Sequence, residues 1–152
     1  MFNEITHSRV FVTDQDEALD FYVNTLGLEV SADVDLEIMR WLTVRVPGSE
    51  HHILLEKAAS SFRDEASAEA ITELMAKGDA CMFIFQTEDC HAAFGDLKSK
   101  GVEIIEEPVD RFYGIDCAVR DPFGNHIRIT EPKEIEMEMP AKANRNATAI
   151  IE

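Results

Sequence analysis

An imidazole and a guanidinium two residues apart, His126 and Arg128, are the side chains best placed here to act together. They lie in DPFGNHIRITEP, Asp121 to Pro132, where a turn around Phe123 feeds an alternation of polar and apolar residues. In strand alternation His126, Arg128 and Thr130 share one face, and Ile127 and Ile129 share the other. Such a face can fix an anionic ligand, because a guanidinium gives charge-assisted hydrogen bonds to carboxylate, phosphonate, enolate or phenolate oxygens. Arg128 has a second reading, as half of an internal ion pair with Glu56 or Asp116, since a buried guanidinium without a carboxylate is costly. His7 in ITHSRVFVT, and His52 and Glu56 on one face of HHILLEK, form another set. Imidazoles and a carboxylate of this kind could converge on a divalent ion. Trp41, Phe83 or Phe85, Phe112 and Tyr113 are candidate walls for an apolar pocket.

The elements that must position these residues follow from periodicity. Ile5 to Thr13 reads as a strand, and Asp14 with Glu17 marks a helix start. Ala18, Leu19, Tyr22, Val23 and Leu26 recur helically up to Gly27. Strand signals return at Leu28 to Val34, Met39 to Val46 and His52 to Glu56. The order then repeats: strand Cys81 to Thr87, a helical stripe through Cys90, Ala93, Phe94 and Leu97, a stop at Gly101, and strands at Val102 to Ile105, Ile115 to Arg120 and His126 to Thr130. Aligning Gly27 with Gly101 lays LGLEV over KGVEI and Leu54 over Arg128, the mark of a duplicated supersecondary unit. The predicted class is α+β, with two βαβββ modules forming paired, cupped mixed sheets. The first module covers residues 1–57, a helical linker 58–79, the second module 80–132 and a C-terminal tail 133–152. The tail is expected to be either loose or packed on a partner subunit.

The chain has 152 residues, of which 45% are hydrophobic, enough for a real core despite a formal net charge of −16. Thirty acidic side chains against fourteen Lys and Arg argue against nucleic acid as a partner. No apolar run reaches the roughly 18 residues a membrane span needs, and the first residues do not read as a signal peptide, so a cytoplasmic protein without membrane contact is expected. Cys81, Cys90 and Cys117 are widely spaced and fit reduced thiols. Cys90, near a helix start, is the one where a thiolate would be favoured.

Three segments, THSRVFVTDQDEALDFYVNTLGLEV, EDCHAAFGDLKSKGVEI and RDPFGNHIRITEP, resemble the vicinal oxygen chelate superfamily over about residues 5 to 131. That superfamily comprises glyoxalases, extradiol dioxygenases, fosfomycin-modifying enzymes and bleomycin-binding proteins. Its metal-dependent members carry four ligands, and the resemblance places them at His7, near Leu54, at Met82 (with Cys81 as the rival) and at Arg128, where the motif Asp-Pro-x-Gly-Asn-x-x-Glu ends in a metal-binding Glu. A guanidinium has no lone pair to give a metal. The resemblance also places Tyr113 beside the cavity, since RFYGID sits where the family often carries Tyr-Gly.

The expected function is therefore a metal-free small-molecule-binding module of the glyoxalase and bleomycin-resistance type, without a cofactor and homodimeric. Its expected ligand-binding residues are Arg128, Tyr113, Trp41 and His126. The alternative is a divalent-metal-dependent lyase, isomerase or dioxygenase. It would hold Ni, Zn, Mn or Fe on His7 and Glu56 with either His52 or His126, and Tyr113 or Glu56 would be catalytic candidates.

Overall fold

The computed structural model describes residues 1–135; the expectation for the tail lies, beyond Ile135, outside the described residues. The first module runs β1 (His7–Val12), α1 (Gln15–Leu19), β2 (Glu29–Asp35), β3 (Arg40–Arg45) and β4 (His52–Lys57). A connecting helix α2 (Glu65–Lys77) leads to β5 (Met82–Gln86), α3 (Cys90–Ser99), β6 (Glu103–Arg111), β7 (Gly114–Arg120) and β8 (His126–Pro132). The strands form two four-stranded mixed sheets of identical topology, β1-β4-β3-β2 and β5-β8-β7-β6. In each, the first and last strands pair in parallel and the remaining neighbours are antiparallel.

Side-chain alternation gives each sheet one dry face. Val10, Val12, Leu42, Val44, Ile53 and Leu55 of the first sheet and Cys117, Val119, Ile127 and Ile129 of the second share a single hydrophobic core with the helices. The opposite faces, the cups, carry His7, Arg9, Trp41, His52 and Glu56 in the first module and Met82, Asp116, His126, Arg128 and Thr130 in the second. Phe83 and Phe85 pack against the core, so neither lines a cup, contrary to expectation: they alternate with Met82 and Ile84, which take the open face.

Two departures from the sequence reading matter for the site. The helix begun by α1 continues as a π-helix over Asp20–Thr25, with Leu26 N–H bonded to Phe21 O at 2.9 Å. This wider winding turns Phe21 and Tyr22 together into the core. β6 runs on to Arg111 instead of stopping at Ile105. Pro108 is tolerated because β6 is an edge strand, and two register shifts absorb the mismatch with β7.

The seam between modules is polar and specific. Tyr22 OH donates to Asp121 Oδ2 at 2.8 Å, and Asn125 Nδ2 donates to Asp121 Oδ2 and to Phe11 O on β1, each at 2.8 Å. The Asp121 and Asn125 of the closing motif thus join the second module to the first.

Candidate functional site

In the second module's cup, Arg128 lies between two carboxylates. Its Nε donates to Asp116 Oδ2 at 2.9 Å, and its Nη2 donates to the same carboxylate and to Glu106 Oε2 at 2.9 Å. Tyr113 OH donates to Asp116 Oδ2 at 2.8 Å and Thr130 Oγ1 to Asp116 Oδ1 at 3.2 Å. Arg111 completes the group, with Nη2 2.5 Å from Glu106 Oε1 and Nε 3.6 Å from Asp116 Oδ2. Burial pushes the Asp116 carboxyl up, but the hydrogen bonds from Arg128 and Tyr113 outweigh it and hold the group below the ordinary carboxylate range. Of the two carboxylates foreseen for Arg128, Asp116 is the one that meets it. Glu56 lies in the other module, and Glu106 was not foreseen. Its register across a bulged strand could not be counted from sequence.

The remaining second-module candidates are occupied or outlying. Tyr113 spends its hydroxyl on Asp116, which raises its pKa. His126 has a buried Nε2 without a partner, and burial, with the charges of Arg128 and Arg120, lowers its pKa. Phe112 is largely exposed.

The first module's cup gathers a different set. His7 and His52 are register partners on β1 and β4, and their rings stack at 4.8 Å, 19° from parallel. His7 Nδ1 is hydrogen-bonded to Thr6 Oγ1 at 2.9 Å and His52 Nδ1 to Ser31 Oγ at 2.8 Å. Trp41 approaches His7 at 6.0 Å between ring centres. Glu56 is buried further along β4, where Arg63 Nη2 donates to its Oε2 at 2.8 Å and Arg9 Nη1 reaches the same oxygen at 3.5 Å. Both guanidiniums also lie over the Phe11 ring, at 4.3 Å for Arg9 and 4.8 Å for Arg63. His51, on the other side of the strand, bonds Ser8 Oγ at 2.8 Å.

A family-type divalent ion does not fit this donor set. Of the four positions assigned by resemblance, His7 alone offers a usual ligand for such an ion, an imidazole nitrogen. Leu54 has no donor, Met82 brings a soft thioether, and Arg128 is a protonated, ion-paired cation. Glu56 cannot complete a set with His7. The parallel register pairs His7 with His52 and Phe11 with Glu56, placing the two four residues apart along the strands, about 13 Å. Among the described residues no group of three or more His, Cys, Asp or Glu converges. The thiolate that a helix start favours at Cys90 is opposed by burial, which pushes its thiol up, and Cys117 is pushed to about 12.

Comparison with known proteins agrees with this architecture. The family model for the Glyoxalase/Bleomycin resistance protein/Dioxygenase superfamily matches residues 4–129. The chain belongs to that superfamily. Among solved structures similar to this chain, UcmS2 is 32% identical with a TM-score of 0.81, covering 86% of this chain and 99% of its own. TnmS3, described as an antibiotic binding protein from Streptomyces sp. CB03234, is 26% identical with a TM-score of 0.70, covering 87% of this chain and 98% of its own. The uncharacterized YurT of Bacillus subtilis (strain 168) is 29% identical over 134 residues, 84% of this chain and 98% of that protein. No described helix of this superfamily member is long and apolar enough to cross a membrane.

Proposed function

We propose that this superfamily member is a small-molecule-binding module of the resistance or sequestration type that works without a metal. The observation that carries this reading is the placement of Arg128 between Asp116 and Glu106, where metal-dependent relatives offer a carboxylate to an ion. The site is filled by a protein cation already compensated by protein anions, which leaves no electrostatic demand for a divalent one. The likeness to TnmS3 supports the binding role.

The reading includes a homodimer. Each cup lies open in the single chain, and Met82 and Ile84 on the second are 54% and 64% exposed. A second copy laid over both cups would enclose a ligand and cover these apolar side chains. The test is a thermal-shift screen of aromatic natural products against protein dialysed with chelator. At least one compound is expected to raise Tm in the chelator-treated protein. Stabilisation that appears only when a divalent ion is returned would overturn the reading.

A further inference from the structure

The two cups differ in charge. In the second, Arg111 and Arg128 share Asp116 and Glu106, two cations against two anions, so the group is neutral. In the first, Arg9 and Arg63 share Glu56 alone, two cations against one anion, which leaves one positive charge in excess. The better geometry belongs to Arg63, at 2.8 Å with its side chain 13% exposed; Arg9 stands at 3.5 Å with its side chain 50% exposed. Arg9 has no other carboxylate within ion-pair distance among the described residues.

The surroundings of Arg9 suit a flat ligand. Strand alternation puts Arg9 on the cup face between His7 and Phe11. The stacked His7 and His52 rings spend Nδ1 on Thr6 and Ser31, leaving each Nε2 edge without a protein partner among the described residues. Trp41 starts in the Glu56 row, because Thr43 pairs with Leu54, yet its ring comes within 6.0 Å of His7; the indole therefore reaches along the cup.

We infer that the first module's cup, with Arg9 as its anion-recognising residue, takes a small aromatic organic anion, its acidic oxygens on Arg9 and its ring against Trp41, which starts in the same row as the Arg9 guanidinium. The inference rests on the binding-module reading and adds to it the ligand's charge, its flat shape and the cup that holds it. It moves the recognition charge from Arg128, which is fully compensated, to Arg9, which has only a share of Glu56 left over from Arg63. Guanidinium specificity for planar oxyanions and aromatic stacking act together in such a site.

Trp41 is the only tryptophan in the chain, so its fluorescence reports this cup. Quenching of Trp41 is followed on titration with two probes of like ring system, the anion anilinonaphthalene sulfonate and the uncharged N-phenylnaphthylamine. Wild-type protein is expected to bind the anion about tenfold or more tightly than the neutral probe, the scale of a charge-assisted hydrogen bond. Arg9→Gln should abolish that preference while leaving the neutral probe's affinity unchanged, which also shows that the variant is folded. Arg128→Gln should leave the preference intact. Equal affinities in the wild type, an unaltered preference in Arg9→Gln, or a preference lost only in Arg128→Gln would each overturn the assignment while sparing the binding-module reading. Failure of both probes to bind the wild type at all would count against that reading as well.

Discussion

Arg128 and Asp116 are joined by two hydrogen bonds to a single carboxylate oxygen, from Nε at 2.9 Å and from Nη2. Asp116 is fully buried, and Tyr113 and Thr130 also donate to it. Removing the negative charge leaves Arg128 and Arg111 with Glu106 alone.

Asp116→Asn is therefore expected to cost about 2–4 kcal/mol at neutral pH, slightly less than breaking a fully buried pair because Arg128 keeps some contact with water. The folded carboxyl lies below its ordinary value of 3.8, so its contribution is present above the unfolded value and lost as pH falls through the folded one. Urea titrations should show the wild-type advantage at pH 7 and its progressive loss below about pH 4.

Tyr22→Phe probes the seam between modules. It removes one of the donors to Asp121 and is expected to cost about 1–2 kcal/mol, read by chemical denaturation. Burial, with the neighbouring Asp121, holds the Tyr22 phenol well above 10, and the bond to Asp116 raises Tyr113. A raised phenol stabilises the fold below its unfolded pKa and ceases to do so as pH rises through the folded one. Spectrophotometric titration should accordingly show little tyrosinate at pH 10 until the chain unfolds in alkali.

Much of this architecture was legible in the residues. The repeat through Gly27 and Gly101 marked two modules, and DPFGN marked the turn into β8. Alternation put His126, Arg128 and Thr130 on one face. The sequence could not show how the cups divide the candidates. Trp41, His7 and His52 meet in one cup and Arg128, Tyr113 and His126 occupy the other, a separation set by how the modules dock on a shared core. Alternation alone does not place Glu106 beside Arg128, because β6 changes register twice. Nor does it place Arg63, which reaches Glu56 from the connection that leads to α2. Arg9 is legible by the same alternation, two residues after His7 on the same face.

Gly124 shows why the closing motif needs glycine. Its φ is +100°, and a Cβ there would stand 2.4 Å from Met75 O at the end of α2. Both the left-handed backbone and the collision oppose substitution. Gly124→Ala is expected to lose more than about 2 kcal/mol of stability in a denaturant titration.

The thiols give a chemical check on burial. Cys90 and Cys117 are fully buried, whereas Cys81 is half-buried with its Sγ 3.8 Å from Arg9 O. An aromatic disulfide reagent should modify at most Cys81 in the native protein, and slowly, because burial raises its pKa. All three thiols should react in denaturant.

Elemental analysis of protein purified without chelator addresses the replacement of a metal by the Arg128 ion-pair group most directly. The expected content of nickel, zinc, manganese and iron is far below one ion per chain, and His7→Ala should leave it unchanged. One tightly held ion per chain, lost in His7→Ala, would contradict the account.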